Sequence, residues 1–403
     1  MIYVVDAKPG DGKSSAAITM INEASEEKRF LYITPYLTEV ERIQACCPEK
    51  QFVQPQEDDP CKSIDIKKQL RQRRNIVSTH ALFQRFDAEV IRLVKKGGYT
   101  MIMDEVATVA EVEEITYWDL KHILKHFAHV DPETSLLIWD KTAYRGIFED
   151  IKQAAERKSL WIYGAGSKHP AAVHIVSPGV FEAFEDVYLL TYMFNGQVQK
   201  YYFDFFHLPY SRKWVEKDGD CYRFSDKPVE SPGLDYKSLI HICRNRKLNE
   251  IGHAKTALSK AWYTANQNTG KIDQMRRNLA NFSRNICGAK SNQILWTIFK
   301  RYHNEVKGKG YSKGFIPCNI RATNQYRDRD CVAYPINRYL NPVVKNFFAQ
   351  AGVIVDDDAY ALSEMLQFIW RSAIRDGKPI NVYVPSSRMR RLLEKWIAEN
   401  SVS

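Results

Sequence analysis

The first fourteen residues constrain this chain more than any other stretch. Ile2-Tyr3-Val4-Val5 is a short apolar run of the kind buried in a sheet, and Ala7-Lys8-Pro9-Gly10-Asp11-Gly12-Lys13-Ser14 follows it. From Ser14 to Ile21 the chain is rich in Ala, Ile and Met and reads as a helix. Strand, glycine turn and helix in succession point to an α/β fold, because the helix must carry the chain back before a parallel strand can pair. The turn also carries chemistry. Gly10 and Gly12 let backbone N–H groups point into one hollow at the positive end of the helix, which is a seat for phosphate. Lys13 adds a point charge for the terminal phosphates, and Ser14 a hydroxyl for a magnesium ion. The general pattern G-x-x-x-x-G-K-[ST] is broken at its first position, where this chain has Ala7.

The alternation continues through the first half. Strands are expected at Phe30 to Thr34, Arg74 to Ser78, Tyr99 to Asp104, Leu136 to Trp139, Ser159 to Tyr163, His174 to Val176 and Val187 to Thr191. Helices are expected at Ala88 to Lys96 and Ile115 to Phe127. Strands alternating with helices predict a largely parallel sheet with its site at the strand carboxyl ends. Residues 195 to 235 read as a hairpin and a linker, with Val198 to Phe206 a candidate wedge hairpin. Residues 245 to 310 read as basic and mostly helical. Strand signals resume at Ile316 and Val332 to Tyr334, a helix at Tyr360 to Arg375, a strand at Ile380 to Val384 and a last helix at Ser387 to Glu399. The expected division is residues 1–200 and 201–403.

The chain has 403 residues, which favours more than one core. It lacks an apolar stretch long enough to span a bilayer. A phosphate loop starting at residue 7 leaves no room for a secretion signal, so a cytoplasmic protein is expected, in the host cytoplasm if phage-encoded, with no membrane partner. The eight cysteines form no C-x-x-C pair and read as reduced thiols. A net charge of +10 calls for a polyanionic partner. Basic runs stand at Lys67-Lys68, Arg71 to Arg74, Arg276-Arg277, Lys300-Arg301, Lys307 to Lys313 and Arg388 to Arg391. Trp262, Phe282, Trp296, Tyr302, Tyr311 and Tyr326 lie among or near them. Positive charge with aromatic faces suits single-stranded nucleic acid.

A second set of residues completes a nucleotide site. Met101-Ile102-Met103-Asp104-Glu105 is an apolar strand ending in two acids, about ninety residues after the loop. Asp104 would hold Mg²⁺ and Glu105 would polarise an attacking water, so adjacent carboxylates have separate tasks.

These residues resemble superfamily 2 helicases. Ala7 to Ser14 fit the family's A-x-x-G-x-G-K-[ST], and the departure at Ala7 is then the family form. Asp104-Glu105-Val106-Ala107 is similar to its D-E-x-x motif. Ser78-Thr79-His80-Ala81-Leu82-Phe83 and Thr34-Pro35-Tyr36 resemble segments that face nucleic acid, and Thr191 stands where the family has a coupling motif. Gln367-Phe368-Ile369-Trp370-Arg371-Ser372-Ala373-Ile374-Arg375 resembles Q-x-x-G-R-x-x-R, with Trp370 for Gly and the last Arg one residue late. On one helix Gln367, Arg371 and Arg375 would share a face. Asn319 to Asn324 resembles a fifth motif. Together with Tyr383 to Arg391, the pattern is similar to compact DEAD/DEAH-like helicases of tailed bacteriophages.

The resemblance implies two RecA-like lobes, parallel sheets flanked by helices, with a basic helical insertion in the second. It implies ATP and Mg²⁺ as cofactors. Gly10, Asp11, Gly12, Lys13, Ser14 and Ser15 would hold the nucleotide, and Ser14 and Asp104 the metal. Lys13, Asp104, Glu105, Gln367, Arg371 and Arg375 would do the chemistry, with Arg371 favoured as the arginine finger. Thr34, Thr79, His80, Arg321 and Thr323 would contact nucleic acid, single- or double-stranded DNA or else RNA, alongside replication or recombination proteins. Only six residues precede the loop, so an upstream adenine-reading glutamine motif is not expected. Two alternatives share the nucleotide motifs: a phage DNA-packaging motor, and a nucleotide-gated binding protein that does not unwind. A packaging motor would need a nuclease with acidic metal ligands. Asp356-Asp357-Asp358 is the dense acidic run, and it reads as a helix cap before Ala359.

Overall fold

The structure is a computed structural model that describes residues 1–56, 62–141, 143–229, 233–318 and 325–402. Its contacts divide the chain into two compact units. The first comprises Met1–Ala7, Asp11–Val229 and Asn341–Val355; the second comprises Lys8–Gly10, Glu230–Leu340 and Asp356–Ser403.

The first unit begins with β1 (Ile2–Asp6), β2 (Arg29–Thr34), β3 (Ile76–Thr79) and β4 (Tyr99–Asp104). An insertion then contributes β5 (Ala110–Val112), β6 (Ala128–Val130), β7 (Leu137–Trp139), β8 (Leu160–Tyr163) and β9 (Ala171–Ile175). The main sheet resumes with β10 (Asp186–Thr191), β11 (Tyr210–Asp218) and β12 (Cys221–Ser225). Seven strands lie in the order β12-β11-β1-β10-β4-β2-β3. All neighbours are parallel except β11 and β12. β4 is buried along its whole length, as are β2 and β10 beyond their first residues, which is why they read as continuous apolar runs. β10 separates β1 from β4 and pairs Asp6 with Thr191 on one side and Leu190 with Asp104 on the other. The loops leaving β1, β10 and β4 therefore start within a residue of one level.

The second unit holds a four-stranded parallel sheet, β13 (Ile240–Ile242), β14 (Ile294–Trp296), β15 (Cys331–Ala333) and β16 (Ile380–Tyr383), in the order β13-β16-β15-β14. Helices Arg246–Asn249, Lys260–Ala265 and Gly270–Asn281 lie in the connection from β13 to β14. The fold class is thus the expected one: α/β, with parallel-strand sheets flanked by helices.

Several local expectations need correction. The strands at 137–139, 160–163 and 171–175 do not extend the parallel sheet. They pair antiparallel in a three-stranded sheet, β5-β9-β8, and a hairpin, β6-β7. The connection from β8 to β9 is too short for a crossover helix, so an antiparallel return is forced. Around it Leu120, Ile123, Leu137, Leu160 and Ile162 make a core of the insertion's own. Val198 to Phe206 is no hairpin: Val198–Phe205 is a helix that buries Tyr201, Tyr202 and Phe203. The hairpin is β11–β12, turning at Gly219-Asp220 with Gly219 at φ +61°. Phe315 makes an isolated bridge to Trp296, and no strand forms at Ile316. Asn319 to Asn324, with Arg321 and Thr323, lie outside the described residues.

The supposed stacking residues also move. Phe282, Trp296, Tyr302 and Tyr311 are core residues of the second unit, each almost wholly buried, and offer no face to a base. Within the run Arg388 to Arg391, Arg388 is buried among Asp358, Asn337 and two backbone carbonyls. Arg390 donates to the carbonyls of Val384 and Pro385. Much of this run is structural rather than a solvated basic face. Among the described residues no helix is long and apolar enough to cross a membrane.

Candidate nucleotide site

Gly10 and Gly12 take positive φ, +104° and +82°, as a loop that aims its amides inward requires. Gly12 is the N-cap of helix Lys13–Glu23. A second reason for glycine there lies far off in sequence. A Cβ on Gly12 would stand 2.1 to 2.5 Å from ring atoms of Tyr222 in β12, so the hairpin strand rests directly on the loop. Arg223 next to it forks onto both oxygens of Glu23 at 2.6 Å, tying β12 to the far end of the same helix.

Lys13 is buried and donates through Nζ to the Ala7 carbonyl at 2.5 Å. Burial lowers its ammonium pKa; the carboxylates of Glu105, Asp104, Asp11 and Asp6 oppose that. Ser14 Oγ donates to Asp104 Oδ2 at 3.0 Å across a gap of 90 residues in the chain. Asp104 is itself buried. Burial, then the neighbouring Glu105, push its carboxyl up to about 6, while the Ser14 hydroxyl and Lys13 pull the other way. Tyr32 Oη is a further donor to the same oxygen at 3.3 Å. Burial, and then the negative charge of Asp104, hold the Tyr32 phenol well above its usual range.

Glu105 leaves β4 in the left-handed region at φ +60°, with its N–H bonded to Leu190 O at 2.9 Å. A non-glycine residue held there costs on the order of 1–3 kcal/mol, and such strain collects where a side chain must be aimed. Its Oε2 is buried with no hydrogen-bond partner among the described residues. Asp6, at the end of β1, accepts from the N–H groups of Met193 and Phe194 at 2.7 and 3.1 Å and pairs with Arg212 at 3.3 Å. Thr191 Oγ1 donates to Gln197 at 2.8 Å. The loop after β10 is thereby fixed beside the phosphate loop, whose Ala7 N–H donates to Thr191 O at 3.1 Å.

His80 Nε2 lies 3.0 Å from the Asp104 carbonyl oxygen, so that nitrogen carries the proton. The Thr79-His80 segment thus touches the acid strand. Thr79 is partly exposed. Thr34 is wholly buried at the end of β2, with Oγ1 unpartnered among the described residues. Ser15 is exposed and Asp11 partly so.

Gln367, Arg371 and Arg375 do not share a helix face. Helix Asp357–Ile369 carries Gln367 and stops at Trp370; Arg371 follows in a turn, and Arg375 lies in a 3-10 turn, Ala373–Asp376. Trp370 packs its ring 5.6 Å from Tyr236 and 5.2 Å from Trp396, and Ser372 Oγ donates to the Ile369 carbonyl at 2.6 Å. The residue that breaks the motif is thus also the C-cap of the helix, and the backbone turns extended at Ser372. Arg371 is buried, its guanidinium 5.9 Å from the Phe368 ring centre, and Arg375 is partly exposed.

Known proteins resemble this chain to different degrees. The model of the YonV C-terminal Rossmann-like domain matches residues 234–397. Over 413 residues the chain is 36% identical to the SPbeta prophage-derived uncharacterized protein YonV of Bacillus subtilis (strain 168), covering 98% of each chain. The chain belongs to the YonV family. Among solved structures, Xpd4 of S. tokodaii superposes with a TM-score of 0.51 at 11% identity, over 98% of this chain and 94% of that one. The likeness is one of fold, and it fits two RecA-like α/β units. The DUF1998 helicase MrfA bound to DNA and AMPPNP gives a TM-score of 0.38 at 12% identity, over 99% of this chain and 48% of that one.

In this YonV-family chain, sequence reading missed Tyr32 and Tyr222. Tyr32 sits two residues before the strand-end Thr34, an apolar position that gave no hint of a bond to Asp104. Tyr222 is some 210 residues from Gly12, and no local pattern links them.

Proposed function

We propose that this chain is an ATP-driven nucleic-acid translocase of the superfamily 2 helicase kind, acting in the cytoplasm. One observation carries the reading: Ser14 Oγ is bonded to the Asp104 carboxylate, beside a buried Lys13 and a buried Glu105 oxygen that has no partner among the described residues. Hydroxyl and carboxylate oxygens together are the hard donors that Mg²⁺ takes, so the residues present fit that ion. Gly10, Asp11, Gly12, Lys13, Ser14 and Ser15 are assigned to the phosphates of ATP, and Ser14 and Asp104 to the ion. Magnesium, when bound, would neutralise charge on the phosphates.

In the proposed step a water oxygen bonds to the γ-phosphorus as the bond to the β–γ bridging oxygen breaks. Glu105 takes the water proton, and its free oxygen suits it to accept one. Lys13 holds the phosphate charge. Gln367, Arg371 and Arg375 are assigned to the γ-phosphate, Arg371 as the finger. Thr79, His80, Arg321 and Thr323 are assigned to nucleic acid; Thr34, expected among them, is wholly buried and is not. His80 supports that assignment, because its bond to Asp104 would connect a nucleic-acid contact with the acid pair. DNA is the favoured substrate, RNA the other, and the prophage origin of YonV favours a phage setting among replication or recombination proteins. A packaging nuclease is disfavoured, since Asp356 caps a helix and Asp358 pairs with Arg388.

The test is ATP hydrolysis by the full chain with and without single- and double-stranded DNA and RNA, followed by strand displacement on duplexes with either overhang. Turnover should rise with nucleic acid, and Lys13→Ala should reduce it to background while the circular dichroism spectrum is kept. Turnover undiminished in Lys13→Ala would overturn the nucleotide-site assignment.

A further inference from the structure

The helix Tyr117–His126, in the insertion between β4 and β10, carries a surface that the nucleotide site does not use. Its inner face buries Leu120 and Ile123 in the insertion core. Trp118, Lys121, His122 and Lys125 follow at spacings of three, one and three, which puts them on one face, and all four are exposed. Trp118 is 72% exposed, unusual for the largest side chain a protein has. Lys121 Nζ stands 5.7 Å from the Trp118 ring centre and 5.8 Å from that of Tyr117. The rings continue along the helix: Tyr117 beside Trp118 at 5.2 Å, and His122 beside His126 at 4.7 Å. Asp119, the carboxylate on this helix, is held by its own N-cap: Thr116 Oγ1 donates to it at 2.7 Å.

We propose that this face is a contact for single-stranded nucleic acid, stacking one unpaired base on Trp118 and holding flanking phosphates with Lys121 and Lys125. The inference rests on the nucleic-acid reading above and gives it a second place of contact. An open indole accepts any base, whereas bases within a duplex are already stacked on their neighbours. The cations supply the charge complement that a dry protein interface would exclude from its centre. Of the six aromatic residues expected to do this work, Phe282, Trp296, Tyr302 and Tyr311 are buried in a core and Trp262 and Tyr326 are partly exposed, whereas Trp118 is the more open face and no basic run announced it.

The experiment uses the full chain and fluorescein-labelled oligo(dT) and oligo(U) of about twenty nucleotides, long enough to span one such site. Binding is read by anisotropy over a KCl series without ATP, and a bromouracil-substituted oligonucleotide is photo-crosslinked and mapped by mass spectrometry. Trp118→Ala should weaken binding on the order of five- to a hundredfold, the range of one base stack. Trp118→Phe should restore most of it, and the crosslink should map within residues 117–126. Lys121→Gln with Lys125→Gln should flatten the salt slope by about 1.4, two contacts at about 0.7 each. If the wild-type chain binds and all variants bind equally, this contact is wrong and the broader reading stands. If the wild-type chain binds neither oligonucleotide, both fall. Equal loss in Trp118→Ala and Trp118→Phe with a lowered melting temperature would mark a structural role and overturn the proposal. So would a change in oligomeric mass with oligonucleotide binding unchanged, which would mark a protein interface.

Discussion

At the scale of single residues, Asp104 is held against its own stability. Burial and Glu105 raise its carboxyl from the usual 3.8 to about 6, so the folded chain prefers it protonated. The sign follows from linkage: its contribution to stability is fully present below pH 3.8 and is lost as pH rises through about 6. At about 1.4 kcal/mol for each tenfold change in proton affinity, that rise amounts to about 3 kcal/mol of destabilisation at neutral pH. Asp104→Asn should therefore raise the melting temperature at pH 7.5 while abolishing ATP turnover, and the gain should shrink toward pH 4.5. Thermal melts at the two pH values check it; a variant less stable than wild type at pH 7.5 would refute this account of the site. That Lys13, Ser14, Asp104 and Glu105 come together was legible, because residue type and strand-end position recur together in the sequence pattern. Tyr32 and Tyr222 were not. Their roles come from through-space neighbours, and a tyrosine in a strand is far more often plain core.

At the scale of elements, periodicity located most helices and strands, and it erred on strand direction in the insertion, on Val198–Phe205 and on where the helix carrying Gln367 ends. The helix carrying Gln367 looked continuous to Arg375, yet it ends at Ile369 with Trp370 as its C-cap and Ser372 extended. Its start was legible: Asp356 accepts from the N–H groups of Asp358 and Ala359, both at 2.9 Å. Arg388 then joins this helix to the last one, Ser387–Asn400. Its guanidinium bonds Asp358 at 2.6 Å, Asn337 at 3.0 Å and the carbonyls of Arg338 and Asp357 at 2.7 and 2.9 Å, with Tyr339 under its face at 4.3 Å. Such a residue reads in sequence as one more surface arginine. Arg388→Ala should destabilise the second unit by about 3–5 kcal/mol, the usual result of breaking a buried charged network. Urea unfolding by far-UV circular dichroism measures it. A loss under about 1 kcal/mol, typical of an exposed ion pair, would show Arg388 to be solvated.

At the scale of the whole molecule, the α/β class was legible because buried parallel strands must be apolar throughout and must be joined by helices. The allocation of segments to units was less so. Helix Pro342–Gln350 belongs to the first unit, where Phe347 meets Trp161 at 5.8 Å and Phe205 at 5.2 Å, contacts that span about 140 to 190 residues of chain. Charge was legible in sum and misleading in detail. Lys67 is paired with Asp87 and Glu89, Arg71 with Glu89 and Arg276 with Asp273, so basic runs overstate the free positive surface. The net charge of +10 remains, and a polyanion that engages it must displace counterions. For a single strand each phosphate contact adds about 0.7 to the slope of log K against log salt, so four to six contacts give about −3 to −4. Raising KCl from about 50 to 200 mM should then weaken oligonucleotide binding by about two orders of magnitude. Anisotropy titrations in the presence of a non-hydrolysable ATP analogue measure this without turnover. A slope near zero would mean that affinity comes from uncharged contacts, and the basic surface would need another explanation.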